Sequence, residues 1–118
     1  MNRRNWLYNL IKKNNFTSGA EVGVQEGKTF KYLVQQIPNL KLYGIDIWSL
    51  DKNVRWDGTT NEELIKLPKH LNQIELESWI KKHSLSDRAI LIRSFSDKCL
   101  DQFEDGSLDF VFIDASHQ

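Results

Sequence analysis

Three acids and a pair of glycines hold the residues of this chain that could do chemistry. Glu21, Asp46 and Asp114 each stand within or at the end of a short apolar run, and His117 follows the last of them by three positions. Gly23 and Gly27 follow Glu21 by two and six positions. The stretch from Gly19 to Thr29 reads as a buried strand, a glycine-hinged turn and the first turn of a helix. Glycines let the backbone approach a ligand closely, and the unpaired N–H groups and dipole of a helix start favour negative charge. A carboxylate at Glu21 is wrong for a phosphate. It suits a ligand that carries an amino group beside a carboxylate.

The elements that must position these residues alternate. A helix is expected over Arg4 to Lys13, with Trp6, Leu7, Leu10 and Ile11 at helical spacing. A strand over Ala20 to Val24 follows, then a helix from about Lys28 to Gln36 that Pro38 closes. Leu40 to Asp46 is a second strand. Thr60-Asn61-Glu62-Glu63 resembles a capping box opening a short helix before Pro68. Asn72 to His83 is a longer helix, with Leu71, Ile74 and Ile80 expected to face inward. Ala89 to Arg93 is a third strand. Ser94 or Ser96 caps a helix carrying Leu100 and Phe103, and Leu108 to Asp114 is a fourth strand. Short apolar strands alternating with helices predict an α/β fold of Rossmann-like type: a parallel sheet of about four strands, in the order 3-2-1-4, with helices on both faces.

Ligands in such sheets bind beyond the carboxyl ends of the strands, where the order reverses. Asp46 lies 19 residues beyond Gly27, at the tip of the second strand, where a nucleoside-binding fold places a carboxylate for the ribose hydroxyls. The turn itself does not fit the dinucleotide fingerprint. Gly23 and Gly27 give G-x-x-x-G rather than G-x-G-x-x-G, and a pyrophosphate would meet Glu21 and Glu26.

Residues 21–30 (EVGVQEGKTF), 43–48 (YGIDIW) and 108–117 (LDFVFIDASH) together resemble the motifs of class I S-adenosylmethionine-dependent methyltransferases. Within them, the sequence is most similar to small-molecule methyltransferases of the catechol O-methyltransferase-like and related groups. The resemblance covers about residues 17 to 117. It implies that Glu21 receives the methionine ammonium, that backbone at Gly23 and Gly27 flanks the methionine, and that Thr29 reaches its carboxylate. Asp46 would hold the ribose hydroxyls, with Ile47 or Trp48 against the adenine and Phe95 and Ser96 at its edge. Asp114 would stand near the reacting methyl group.

The reaction so implied is displacement at a sulfonium methyl by an acceptor oxygen or nitrogen, with the protein aligning the reactants and deprotonating the acceptor where required. His117 is the nearby side chain whose ordinary titration range suits a base. Asp114 is the single candidate ligand for a divalent cation, and such a cation wants several oxygens. Two other readings stand beside this one: a chain that binds the cofactor without turnover, and another nucleotide-binding α/β enzyme using NAD.

Composition bounds the remainder. In 118 residues, 16 basic and 16 acidic side chains cancel, so neither nucleic acid nor an anionic membrane is an expected partner. A small molecule is. Cys99 is the only cysteine, best read as a small buried apolar residue, and a cytoplasmic setting is expected. Trp48 and Trp56 are candidates for cofactor or acceptor contact, and Trp79 for the core. His70 and His83 lack partners at metal-ligand spacing. Family members continue the sheet by three strands, so residues 1–118 are expected to form a single, truncated domain. The apolar fourth strand would then be an unprotected edge, open to self-association.

Overall fold

A computed structural model describes residues 3–51, 53–55 and 57–114; Trp56 and His117 lie outside the described residues. The elements are α1 (Arg3–Asn14), β1 (Ser18–Val22), α2 (Lys28–Gln36), β2 (Lys41–Asp46), α3 (Asn61–Lys66), α4 (Leu71–Lys82), β3 (Ala89–Arg93), α5 (Ser96–Leu100) and β4 (Phe110–Ile113). The four strands are parallel in the order β3-β2-β1-β4, as expected. β1 and β2 are the inner pair, so the order reverses between β1 and β4, and the strand tips carrying Glu21, Asp46 and Asp114 share one end of the sheet.

One face of the sheet is thick and the other thin. Leu7 and Ile11 of α1, Phe30, Leu33 and Val34 of α2, and Leu76 and Ile80 of α4 form the main core together with Leu42. The opposite face rests on α5: Cys99 is buried with Ala20 and Ile45, and Leu100 and Phe103 pack around them. Burial pushes the Cys99 thiol above its ordinary titration range. Among the described residues no helix is long and apolar enough to cross a membrane.

Several boundaries differ from those expected. β1 runs from Ser18 to Val22 rather than from Ala20 to Val24. The chain leaves the sheet at Gly23, whose φ is 86° and whose N–H donates to the Ile45 carbonyl at 2.8 Å. Val24 is apolar because it is buried under the turn, not because it is strand. Helix α4 is rotated from the expected face: Leu71 and Ile74 are 60% and 45% exposed, and Gln73, Leu76 and Ile80 point inward. Leu76 wins because its methyls fill the space beside Gly27, where a Cβ would lie 2.9 Å from them. In α1, Trp6 is exposed while Leu7 and Ile11 are buried. Thr60 does cap α3, its hydroxyl oxygen accepting the Glu63 N–H at 3.1 Å. β4 is an edge strand among the described residues. On it Phe110 and Phe112 are half-buried, whereas Val111 and Ile113 are 45% and 64% exposed.

Candidate functional site

The turn after β1 holds three left-handed residues in five. Gly23 (φ 86°), Gln25 (φ 54°) and Gly27 (φ 85°) reverse the chain so that α2 starts close to the strand tip. For the glycines this conformation is free of side-chain clash; Gln25 must be held in it. The holding groups come from β2. Asp46 accepts the Gln25 backbone N–H at 2.8 Å with one carboxylate oxygen and the Trp48 N–H at 3.0 Å with the other. The Trp48 indole N–H returns to the Gln25 carbonyl at 2.8 Å. Trp48 is buried and itself left-handed, at φ 42°. Two strained residues are thus locked to each other through one carboxylate.

This latch separates two cavities that share Gln25 as a wall. The first, about 320 Å³, is bounded by Arg3, Glu21, Val24, Thr29 and Asp114. The second, about 260 Å³, is bounded by Asp46, Ile47, Trp48, His70 and Asn72. The sequence-derived candidates therefore fall into two groups. Glu21, Thr29 and Asp114 meet in one cavity and Asp46, Ile47 and Trp48 in the other, with Gly23 and Gly27 on the turn between β1 and α2. Phe95 and Ser96 line neither. Phe95 is fully buried, its ring beneath the Lys98 ammonium at 5.2 Å, and Ser96 is the first residue of α5.

Glu21 is the unusual group. It is only 2% exposed, and its Oε1 has no hydrogen-bond partner among the described residues. Its pKa is pushed up to about 8, first by burial, then by the negative charges of Asp114 and Asp46, with Arg3 opposing. An orphaned buried acceptor calls for a donor, and a cationic donor would convert Glu21 to its charged form. Asp114 is paired with Arg3, Nη1 to Oδ1, at 2.9 Å. Among the described residues no group of three or more His, Cys, Asp or Glu side chains could hold a metal ion.

Sequence reasoning missed Arg3, His70, Asn72 and Arg93. His70 read as a helix flank. Its Nδ1 accepts the Asn72 N–H at 2.9 Å, which caps α4, while the His70 backbone N–H donates to the Trp48 carbonyl at 3.2 Å. Arg93 donates to backbone carbonyls. Its Nε bonds the Ile47 carbonyl at 2.8 Å, and Nη1 bonds Leu67 at 2.7 Å. Nη2 bonds Pro68 at 3.2 Å. Partial burial lowers its pKa from the usual arginine range. Arg3 lies 111 residues from Asp114, and no local signal joins the two.

The profile of the methyltransferase domain family matches residues 20–118. No curated protein matches the chain. Among solved structures, the chain is similar to a putative caffeoyl-CoA O-methyltransferase from Staphylococcus aureus, with a TM-score of 0.65 and 16% identity over 100% of this chain and 47% of that one. It is also similar to an O-methyltransferase from Bacillus cereus in complex with S-adenosylhomocysteine (TM-score 0.62, 17% identity, 96% of this chain and 44% of that one). A third is an S-adenosylhomocysteine-bound methyltransferase from Podospora anserina (TM-score 0.61, 16% identity, 96% and 40%). The chain thus spans less than half the length of each of these structures. At such identities the likeness speaks for the fold, which agrees with the β3-β2-β1-β4 sheet. The match over residues 20–118 takes in the glycine turn, the Asp46 latch and the β4 tip, and by it the chain belongs to the methyltransferase domain family.

Proposed function

We propose that this chain is the cofactor-binding part of an S-adenosylmethionine-dependent methyltransferase that acts on an oxygen or nitrogen of a small molecule. Glu21 carries the reading: a buried carboxyl with an oxygen unpartnered among the described residues, walling a cavity that shares Gln25 with the neighbouring cavity of Asp46. A ligand with an ammonium at one end and ribose hydroxyls at the other satisfies both. Two of the similar structures were solved with S-adenosylhomocysteine, which supports the choice.

In this reading Glu21 takes the ammonium and the backbone at Gly23 and Gly27 flanks the methionine. Thr29 sits at the start of α2, where unpaired N–H groups favour the carboxylate. Asp46 keeps lone pairs for the ribose hydroxyls beyond the two N–H bonds it already accepts. Ile47 and Trp48 wall the adenine, and its outer edge is assigned to Ser96 and to the backbone at Phe95, whose ring is buried. When bound, the cofactor supplies an electrophilic methyl group. Alignment of the acceptor falls to Asp114 and removal of its proton to His117. Asp114 is also the residue proposed to meet a divalent cation, should the acceptor require one.

Titration with S-adenosylhomocysteine and, separately, with NAD tests this. Saturable binding of the former is expected. NAD binding with no response to S-adenosylhomocysteine would overturn the proposal in favour of another nucleotide enzyme. A second reading is that these residues bind the cofactor without turnover. Methyl transfer by a chain extended into adjacent coding sequence, and its absence in the 118-residue chain, would separate binding from catalysis.

A further inference from the structure

Helix α1 begins with Arg3 and Arg4 and has no acid in its first turn. Two cations at a helix N-terminus oppose the helix dipole, which favours carboxylates there. The Arg3 guanidinium stands 5.7 Å from the centre of the Phe112 ring, and the residues that α1 buries are Leu7 and Ile11. Both arginines line the cavity that contains Glu21. Arg3 bonds Asp114 through Nη1 at 2.9 Å, and the Arg4 guanidinium stands 5.6 Å from the centre of the Tyr32 ring. A guanidinium offers five N–H donors in a planar fork that matches a carboxylate, so one bond to Asp114 leaves most of the Arg3 fork for another acceptor.

The independent observation lies inside the same cavity. Glu21 is buried, and its Oε1 lacks a donor among the described residues. One wall therefore wants a cationic donor while another presents cationic donors of its own. A single carbon bearing an ammonium and a carboxylate complements both.

We infer that Arg3 and Arg4 form a carboxylate clamp for the amino-acid end of the ligand, facing the ammonium site at Glu21. The inference rests on the reading that this cavity takes the methionine end of the cofactor. It makes α1, which precedes the matched residues 20–118, part of the binding site. It also makes the site select a nucleoside thioether with an intact amino-acid group over the bare nucleoside.

The test compares S-adenosylhomocysteine with 5′-methylthioadenosine, which keeps the nucleoside and thioether but lacks the amino-acid group. The double variant Arg3→Gln/Arg4→Gln should lose about tenfold to a hundredfold in affinity for S-adenosylhomocysteine, the range for bonds between charged groups. Its affinity for methylthioadenosine should not change. Lys12→Gln/Lys13→Gln removes the same charge from the far end of α1 and should leave both affinities unchanged. Arg4→Gln by itself keeps the Arg3–Asp114 pair and should give a smaller loss, selective for the same ligand, so the test stands even where the double variant folds poorly. An unchanged affinity for S-adenosylhomocysteine, or equal losses for the two ligands, overturns the clamp. Failure of the unaltered chain to bind either ligand overturns the cofactor reading itself.

Discussion

The Asp46 carboxylate and the Gln25 backbone N–H, 21 residues apart in sequence, meet at 2.8 Å. Through that bond the tip of β2 dictates the shape of the turn after β1. The second oxygen holds Trp48, and the indole closes the circuit back to the Gln25 carbonyl. One side chain therefore shapes both cavities before any ligand arrives.

Asp46→Ala should weaken S-adenosylhomocysteine binding about a hundredfold or more, because it removes the acceptor proposed for the ribose and releases Gln25 and Trp48 together. Asp46→Asn keeps one acceptor oxygen and should fall between the two. Calorimetric titration checks the order. Unchanged affinity in Asp46→Ala would take Asp46 out of the site.

Glu21 makes binding and stability depend on pH in opposite directions. Its folded pKa of about 8 lies above the ordinary value of 4.5, so the folded chain binds the proton more tightly than the unfolded one. Stability should therefore be highest below about pH 4.5 as far as this group is concerned, fall as pH rises toward about 8, and level off above. A ligand ammonium reverses the preference and expels the proton. Affinity for S-adenosylhomocysteine should rise from about pH 6 to about pH 8 and then flatten. Glu21→Gln should flatten both profiles and weaken binding. Dissociation constants and urea midpoints across that range measure the two effects, and a flat profile in the unaltered chain would contradict them.

Arg93 ties backbone carbonyls at Ile47, Leu67 and Pro68 to the end of β3. Arg93→Met removes these donors, each bond contributing roughly 1 kcal/mol. Amide exchange should quicken between residues 47 and 68, with a loss of about 2–3 kcal/mol in stability. Exchange that quickens uniformly along the chain would show that Arg93 holds no particular segment.

The exposed Val111 and Ile113 of β4 invite pairing of the edge with another copy. Val111→Lys should lower self-association without altering cofactor affinity, since Val111 lines neither cavity. Sedimentation velocity over a range of concentrations reads this directly. A chain that is monomeric at every concentration would remove the proposed association.

The architecture was legible because its signals are local. Apolar runs such as Ala89–Arg93 and turn glycines such as Gly23 mark elements through spacing alone, and alternating elements force a parallel sheet with its ligand end at the strand tips. The placing of Glu21, Asp46 and Asp114 at one end of the sheet was readable for the same reason: each stands within, at the end of or just after an apolar run. The face of α4 was not legible, because Leu71, Ile74, Leu76 and Ile80 satisfy more than one helical stripe. Only the gap above Gly27 selects Leu76 and turns Leu71 and Ile74 outward.

By itself, then, the sequence determined which residue types reach the end of the sheet and in what order the strands lie. The tertiary structure decided which of them share a cavity, that Asp46 latches Gln25 to Trp48, and that Arg3 crosses from α1 to meet Asp114. The reason is physical. Periodicity and propensity are properties of neighbours along the chain, whereas a buried charge takes its state and partner from whatever the folded chain brings within a few ångströms.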